Sequence, residues 1–151
     1  MASLKNALPR LSPHMTYGQM RRIVDQEQSL TVESALLPNG MMGVFDSKSS
    51  TILIDRGMTY RQKRCTLIHE LVHWTHLDDS CGGLAALKGE RRARRETALW
   101  LIDPDAYAAA EAMYGGLPQC IANELDVTLA VVRDFQETLR DSGTWPLVNG
   151  N

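Results

Sequence analysis

Residues 66–74 read TLIHELVHW and contain the pattern HExxH. The positions around the pattern are apolar, and Glu70 is the only formally charged residue from Thr66 to His76. Residues four apart lie on one face of a helix, about one turn from each other. A helix through this stretch therefore carries the rings of His69 and His73 side by side. Because a buried carboxylate without a partner is costly, packing alone does not explain this polar stripe.

Two imidazoles at this spacing suit zinc, which binds histidine nitrogens at about 2.0–2.1 Å. Glu70 is rotated by about 100° from His69 around the helix axis, so it can reach a water on the ion without ligating the metal. The pattern predicts metal-assisted peptide hydrolysis, in which His69 and His73 hold zinc and Glu70 takes the proton of the attacking water. The alternative is that both histidines lie at the edge of the core and are salt-linked to the glutamate.

A catalytic zinc ion usually has a third protein ligand besides its water. The candidates that follow the motif are His76, Cys81, Glu90 and Glu96. His76 comes only three residues after His73, without a loop between them, and no second feature supports Cys81. Glu90 continues the apolar face of the next predicted helix, whereas Glu96 lies with arginines on a more polar side. We therefore expect Glu90 to be the third ligand, with Glu96 as the alternative.

The chain around the motif reads as one helix, a group of strands and then a run of helices. Thr16 can cap the first helix. Strands are predicted at 30–37, 41–46 and 51–55, and the Pro38-Asn39-Gly40 turn should join the first two as a hairpin. The third strand either offers its edge to an extended peptide or merely packs on the motif helix. Further helices are predicted at about 60–77, 86–102, 104–114, 118–125 and 128–140.

This order predicts an α+β fold, with a small three-stranded antiparallel or mixed sheet and a helical bundle that carries HExxH. Residues 1–15 contain prolines and no clear period, so we expect a flexible N-terminal arm there. Residues 16–140 should form a single metallopeptidase domain, with a catalytic core over 16–102 and C-terminal helices over 103–140. Residues 141–151 should be a flexible tail.

Composition narrows the class of protein. The chain has 151 residues, about one domain, and a formal net charge of −2, so no overall positive charge attracts nucleic acid or an anionic membrane. No apolar run reaches the roughly 18–20 residues that span a bilayer, and the N-terminus lacks the apolar core of a signal peptide. The three cysteines form no CxxC pair, which indicates reduced thiols. We expect a cytoplasmic protein.

Residues 117–140 look like part of a helix-turn-helix. Their charges are Arg133 and Arg140 against four acidic side chains, Glu124, Asp126, Asp134 and Glu137. A module that faces phosphates needs the opposite balance. The segment therefore reads as a helical pair that packs on the core or docks a partner, and a DNA-binding module is the disfavoured alternative.

On these residues the chain resembles the ImmA/IrrE family of zinc metallopeptidases, over about residues 15–140. The resemblance rests on GVFD at 43–46, TILID at 51–55, RCTLIHELVH at 64–73, ERRA at 90–93 and LI at 101–102. A glutamate heads the second helix in that family, and Glu90 is the residue that matches it. The chain departs from the family where ExEAN is common, because it has ERRAR at 90–94.

The resemblance implies a zincin-like fold and an intracellular zinc endopeptidase, often encoded on phages or mobile elements. It also implies that the substrate is a helix-turn-helix transcriptional repressor, which the protein cleaves or otherwise relieves. The alternative is a non-proteolytic zinc-binding regulator that acts by binding a repressor. A hydrolase further needs a donor for the oxyanion, for which Tyr60, Tyr107 and His76 are the candidates.

Overall fold

The computed structural model of the protein describes residues 3–78 and 84–143. The elements are α1 (Leu4–Ala7), α2 (Tyr17–Asp25), β1 (Thr31–Ala35), β2 (Gly43–Asp46), β3 (Thr51–Asp55), α3 (Tyr60–His76), α4 (Leu84–Leu101), α5 (Pro104–Tyr114), α6 (Pro118–Leu125) and α7 (Leu129–Asp141). The predicted α+β class and the small mixed sheet are confirmed. None of the described helices has the length and apolar character needed to cross a bilayer.

The chain divides into two compact units, Met1–Ala93 and Arg94–Asn151, and the boundary falls within α4. The predicted boundaries at residues 15, 102 and 140 stay predictions. Most of the predicted tail, residues 144–151, lies outside the described residues.

The segment predicted to be a flexible arm contains a short helix and buried side chains. Leu4, Leu8 and Leu11 are buried, and α1 contacts α3. Arg64 on α3 donates a hydrogen bond from Nη2 to the carbonyl oxygen of Pro13 at 2.9 Å. Burial of each leucine contributes about 1.5–3 kcal/mol, which explains why prolines do not keep this segment apart from the core.

The sheet has the order β1-β3-β2. β1 pairs with β3 in parallel, with Thr31 opposite Thr51, and β2 pairs with β3 antiparallel, with Gly43 opposite Ile54. The predicted hairpin between the first two strands is therefore wrong. The chain does turn at Asn39 and Gly40, both of which have positive φ, but the seven residues between β1 and β2 leave room for β3 between them.

The central strand of the sheet, β3, is the strand with the most buried apolar side chains. Ile52 and Ile54 of β3 are fully buried, which is typical of a strand with neighbours on both sides. Because both edges of β3 are paired, it cannot take up an extended peptide, and the edge strands of the sheet are β1 and β2.

α3 carries the HExxH pattern and is buried over most of its length. It begins with a capping box, in which Thr59 Oγ1 accepts from the backbone N–H of Gln62 and the Gln62 side chain accepts from the backbone N–H of Thr59. The helix packs on β2 and β3. All residues from Arg64 to Val72 except His69 are buried.

Gly43 is where β2 comes closest to α3. A Cβ at this position would lie 2.6 Å from Thr66 Cγ2 and 3.2 Å from Glu70 Cγ. Since Thr66 is buried and β-branched, it has little freedom to move away. A glycine is therefore required for β2 to lie directly against the face of α3 that carries Glu70.

In the second unit, α5, α6 and α7 pack in sequence. Asp103 caps α5, Pro104 opens it, and Gly115 ends it in the left-handed conformation, so the predicted bounds of this helix are confirmed. The predicted helix at 118–125 is also confirmed, and α7 agrees with the predicted one to within a residue. A left-handed residue, Asp126, separates α6 from α7.

We expect Gly43→Ala to destabilise the protein by about 1–3 kcal/mol, because the added methyl group collides with buried Thr66. Thr66→Ser removes the Cγ2 atom in the way, so the double variant should recover part of the loss. Unfolding in urea measures both effects. Gly18→Ala is the matched control, since nothing lies within 4 Å of its Cβ position. Equal stability of the Gly43→Ala and Gly18→Ala variants would contradict the close approach of β2 to α3.

Candidate metal centre

Three potential ligands converge between α3 and the start of α4. His69 Nε2 lies 3.0 Å from Glu90 Oε1, and His73 Nε2 lies 3.1 Å from Glu90 Oε2. One ligand atom from each of the three residues lies within 4.8 Å of the others. The two imidazole rings are 4.9 Å apart between centroids and nearly perpendicular. A single carboxylate therefore faces both histidines at once.

The donor set fits a catalytic zinc ion. Zinc binds imidazole nitrogens and carboxylate oxygens, and one such atom from each of the three residues lies within 4.8 Å of the other two. Two nitrogens and one carboxylate oxygen leave a fourth position for water. His73 is buried, whereas the side chains of His69 and Glu90 are 20% and 36% exposed. The group is thus accessible to solvent on one side.

The three side chains also stabilise one another without an ion. Hydrogen bonds with His69 and His73 hold the pKa of the Glu90 carboxyl well below its usual range. Burial lowers the pKa of His73, but the hydrogen bond to Glu90 and the nearby negative charge of Glu70 outweigh burial, so the pKa is raised. A negative carboxylate between two imidazoles satisfies polar groups that would otherwise be buried at a cost.

Glu70 lies beside the two histidines but outside this ligand group. It is 5% exposed, and its Oε2 atom has no hydrogen-bond partner among the described residues. Burial raises the pKa of its carboxyl, against the opposing influence of His69 and His73. A carboxylate with a raised pKa and an oxygen available for a proton is suited to act as a general base.

Among the described residues, the ligand group contains Glu90 and not Glu96. Glu96 follows Glu90 by six residues, which places it about 240° further around α4, so the two carboxylates leave the helix in different directions. His76 is not part of the group either. Cys81 lies outside the described residues.

The three candidate oxyanion donors differ in position. Tyr60 is the first residue of α3 and is 74% exposed. It precedes His69 by nine residues, or about 13.5 Å along the axis, so its hydroxyl is remote from the histidines. The Tyr107 hydroxyl is engaged within the second unit, where it donates to Glu111 and accepts from Gln136. His76 is the last residue of α3, on nearly the same side of the helix as His69.

Two residues near the site were not predicted from the sequence. Asp78 Oδ2 lies 3.5 Å from His73 Nδ1 and 2.6 Å from Arg92 Nη2. Asp78 is the first of two consecutive aspartates after the motif helix, and Arg92 belongs to a run of arginines that is typical of a solvated helix face. The only signal in the sequence is that Asp78 follows the last turn of the motif helix, and this is too common to identify a role.

No known family model matches the chain, and no curated protein is significantly similar to it. The resemblance to the ImmA/IrrE family therefore rests on the quoted motifs and stays a prediction.

Replacement of Glu90 by alanine should weaken zinc binding by more than the roughly 10–100-fold typical of outer-shell residues, because it removes a ligand. Glu96→Ala, on the same helix, is the matched control and should bind zinc like the wild type. Competition with a chromophoric chelator measures both affinities. Equal affinity of the two variants would show that Glu90 is not a ligand.

Proposed function

We propose that the protein is a zinc-dependent endopeptidase. The observation that supports this most is the convergence of His69, His73 and Glu90 beside the buried carboxylate of Glu70, whose Oε2 is without a hydrogen-bond partner among the described residues. A structural zinc site has no use for such a carboxylate, because four protein ligands fill the coordination sphere. Three ligands and an adjacent base suit hydrolysis.

His69 and His73 would hold the ion through their Nε2 atoms, and Glu90 through a carboxylate oxygen. A bound zinc ion would acidify water and polarise the scissile carbonyl. Glu70 would accept a proton from the water as its oxygen bonds to the carbonyl carbon. It would then deliver that proton to the amine nitrogen as the C–N bond breaks. The products are a carboxylic acid and an amine, so no further reactant is needed.

The sheet offers an edge on which a substrate could extend. β2 is an edge strand, and Gly43 at its start lies against Thr66 and Glu70. A peptide paired with the outer edge of β2 would run past the base in extended form, with main-chain hydrogen bonds fixing its register. This assigns to β2 the role that the sequence suggested for residues 52–54, since β3 is paired on both sides.

The resemblance to the ImmA/IrrE family supplies a substrate class, a helix-turn-helix repressor, together with the zincin-like fold. The acidic balance of residues 117–140 supports a protein partner over direct contact with DNA. The alternative is that the protein binds zinc and a repressor without cleaving the repressor. In that case Glu70 would not be needed for function.

Glu70→Gln should retain zinc and lose cleavage by about 10²–10⁴-fold, because the amide cannot take the proton of the water. New N-termini in a mixed peptide library, counted by mass spectrometry after incubation with the zinc-loaded protein, measure cleavage. Glu111→Gln is the matched control, since Glu111 is also a buried glutamate and lies in the second unit. It should cleave like the wild type.

Two outcomes would refute the endopeptidase. One is cleavage by the Glu70→Gln variant at the wild-type rate, which would remove the proposed base. The other is a wild-type protein that binds zinc but produces no new N-termini from peptides or from a purified helix-turn-helix repressor, which would favour the regulator.

A further inference from the structure

The end of α3 folds back over one of its own histidines. Leu77 ends the helix in the left-handed conformation, with φ of 54°. The backbone N–H of Asp78 then donates to the carbonyl oxygen of His73 at 2.9 Å. This bond from a residue five positions later is typical of the Schellman motif. The bond places Asp78 next to the helical turn that contains His73.

His73 has a polar atom that a metal ion would not satisfy. His73 is 1% exposed, and its Nδ1 atom makes no hydrogen bond within the described residues. A neutral imidazole that binds a metal through Nε2 carries its proton on Nδ1. A buried N–H without an acceptor is unfavourable. A metal-bound His73 therefore needs an acceptor on the Nδ1 side of the ring.

Asp78 Oδ2 is the atom in position to accept. It lies 3.5 Å from His73 Nδ1, which is a few tenths of an ångström longer than a hydrogen bond of about 2.7–3.2 Å. His69 differs in this respect, because its side chain is 20% exposed and neither of its ring nitrogens is among the buried atoms that lack a partner. Of the two histidines, therefore, only His73 needs an acceptor from the protein for its Nδ1–H group.

α4 holds the Asp78 carboxylate from the other side. Arg92 Nη2 donates to Asp78 Oδ2 at 2.6 Å. A Cβ at Gly89 would lie 3.2 Å from both Cγ and Oδ2 of Asp78, which is tighter than ordinary contact. Glycine inside a helix is unfavourable, so its presence at 89 is consistent with space kept for the carboxylate. The first turns of α4 thus contribute Glu90 to the ligand group and Gly89 and Arg92 to the position of Asp78.

We propose that Asp78 is a positioning residue for the metal centre: it accepts the Nδ1–H of His73 and so fixes the tautomer and the direction of Nε2. Arg92 and Gly89 keep the carboxylate in place. Carboxylates in this relation to a ligating histidine orient the ring and raise the basicity of the ligand. The inference rests on metal binding at His73, as proposed above, but not on peptide cleavage.

The simpler explanation is a surface ion pair between Asp78 and Arg92, with side chains 22% and 39% exposed. Such pairs contribute little to stability and have no reason to affect metal affinity. Zinc affinity therefore distinguishes the two explanations.

Asp78→Ala should weaken zinc binding by about 10–100-fold in competition with a chelator. Asp78→Asn, which keeps an acceptor oxygen of the same shape, should lose less. The ligand-field absorption of the Co²⁺-substituted protein should change in Asp78→Ala, because the His73 ring is no longer held. Asp103→Ala is the control, since it removes an N-cap carboxylate in the second unit and should leave the affinity and the spectrum unchanged.

Gly89→Ala provides a second variant that keeps every charge. Its methyl group should displace the Asp78 carboxylate and weaken zinc binding in the same direction, even if Asp78→Ala folds poorly. In the zinc-bound wild type, the Nδ1–H of His73 should give a proton resonance protected from exchange with solvent. Either Asp78→Ala or Gly89→Ala should abolish this protection.

Wild-type affinity and an unchanged Co²⁺ spectrum in both the Asp78→Ala and Gly89→Ala variants would overturn the inference, while the proposed endopeptidase would stand. Weakened binding with no peptide cleavage by the wild type would support the inference and refute the endopeptidase. A wild-type protein that binds neither Zn²⁺ nor Co²⁺ would refute both.

Discussion

The contact of the Glu90 carboxylate with the Nε2 atoms of His69 and His73 is the interaction on which the rest of the site depends. Each oxygen faces a different ring, at 3.0 and 3.1 Å. An imidazole and a carboxylate buried separately would each lose their contact with water. Brought together, the carboxylate and the two imidazoles satisfy one another, and they form a group of three potential metal ligands. Polar contacts therefore join the start of α4 to α3.

The sheet constrains the same face of α3 from the other direction. β3 is central and presents Ile52 and Ile54 to the core, so β2 is left at an edge of the sheet. Gly43 allows β2 to approach Thr66 and Glu70. Glu70 therefore lies between an edge strand and the group formed by His69, His73 and Glu90. The burial that raises the pKa of Glu70 follows from this arrangement.

His73 has polar contacts on both sides of its ring, with Glu90 at Nε2 and Asp78 at Nδ1. Both carboxylates depend on α4, which carries one and holds the other through Arg92. The buried histidine is thus the better oriented of the two, whereas the partly exposed His69 has solvent on one side. Such an asymmetric pair is compatible with a site that must be rigid at its base and accessible at its mouth.

The sequence alone determined the features that depend on neighbours in the chain. The helical spacing of His69, Glu70 and His73, the strand at 51–55 and the bounds of α5 all follow from hydrogen bonds and side-chain directions within a few residues. Periodicity along α4 even favoured Glu90 over Glu96. Only the tertiary structure decided that β3 lies between β1 and β2, that Leu4, Leu8 and Leu11 hold the N-terminal segment in the core, and that Asp78 reaches the ring of His73. The strand order and the burial of the leucines join segments that are distant in sequence, so no local pattern predicts them. The position of Asp78 depends on the left-handed conformation of Leu77, which a leucine in the sequence does not indicate.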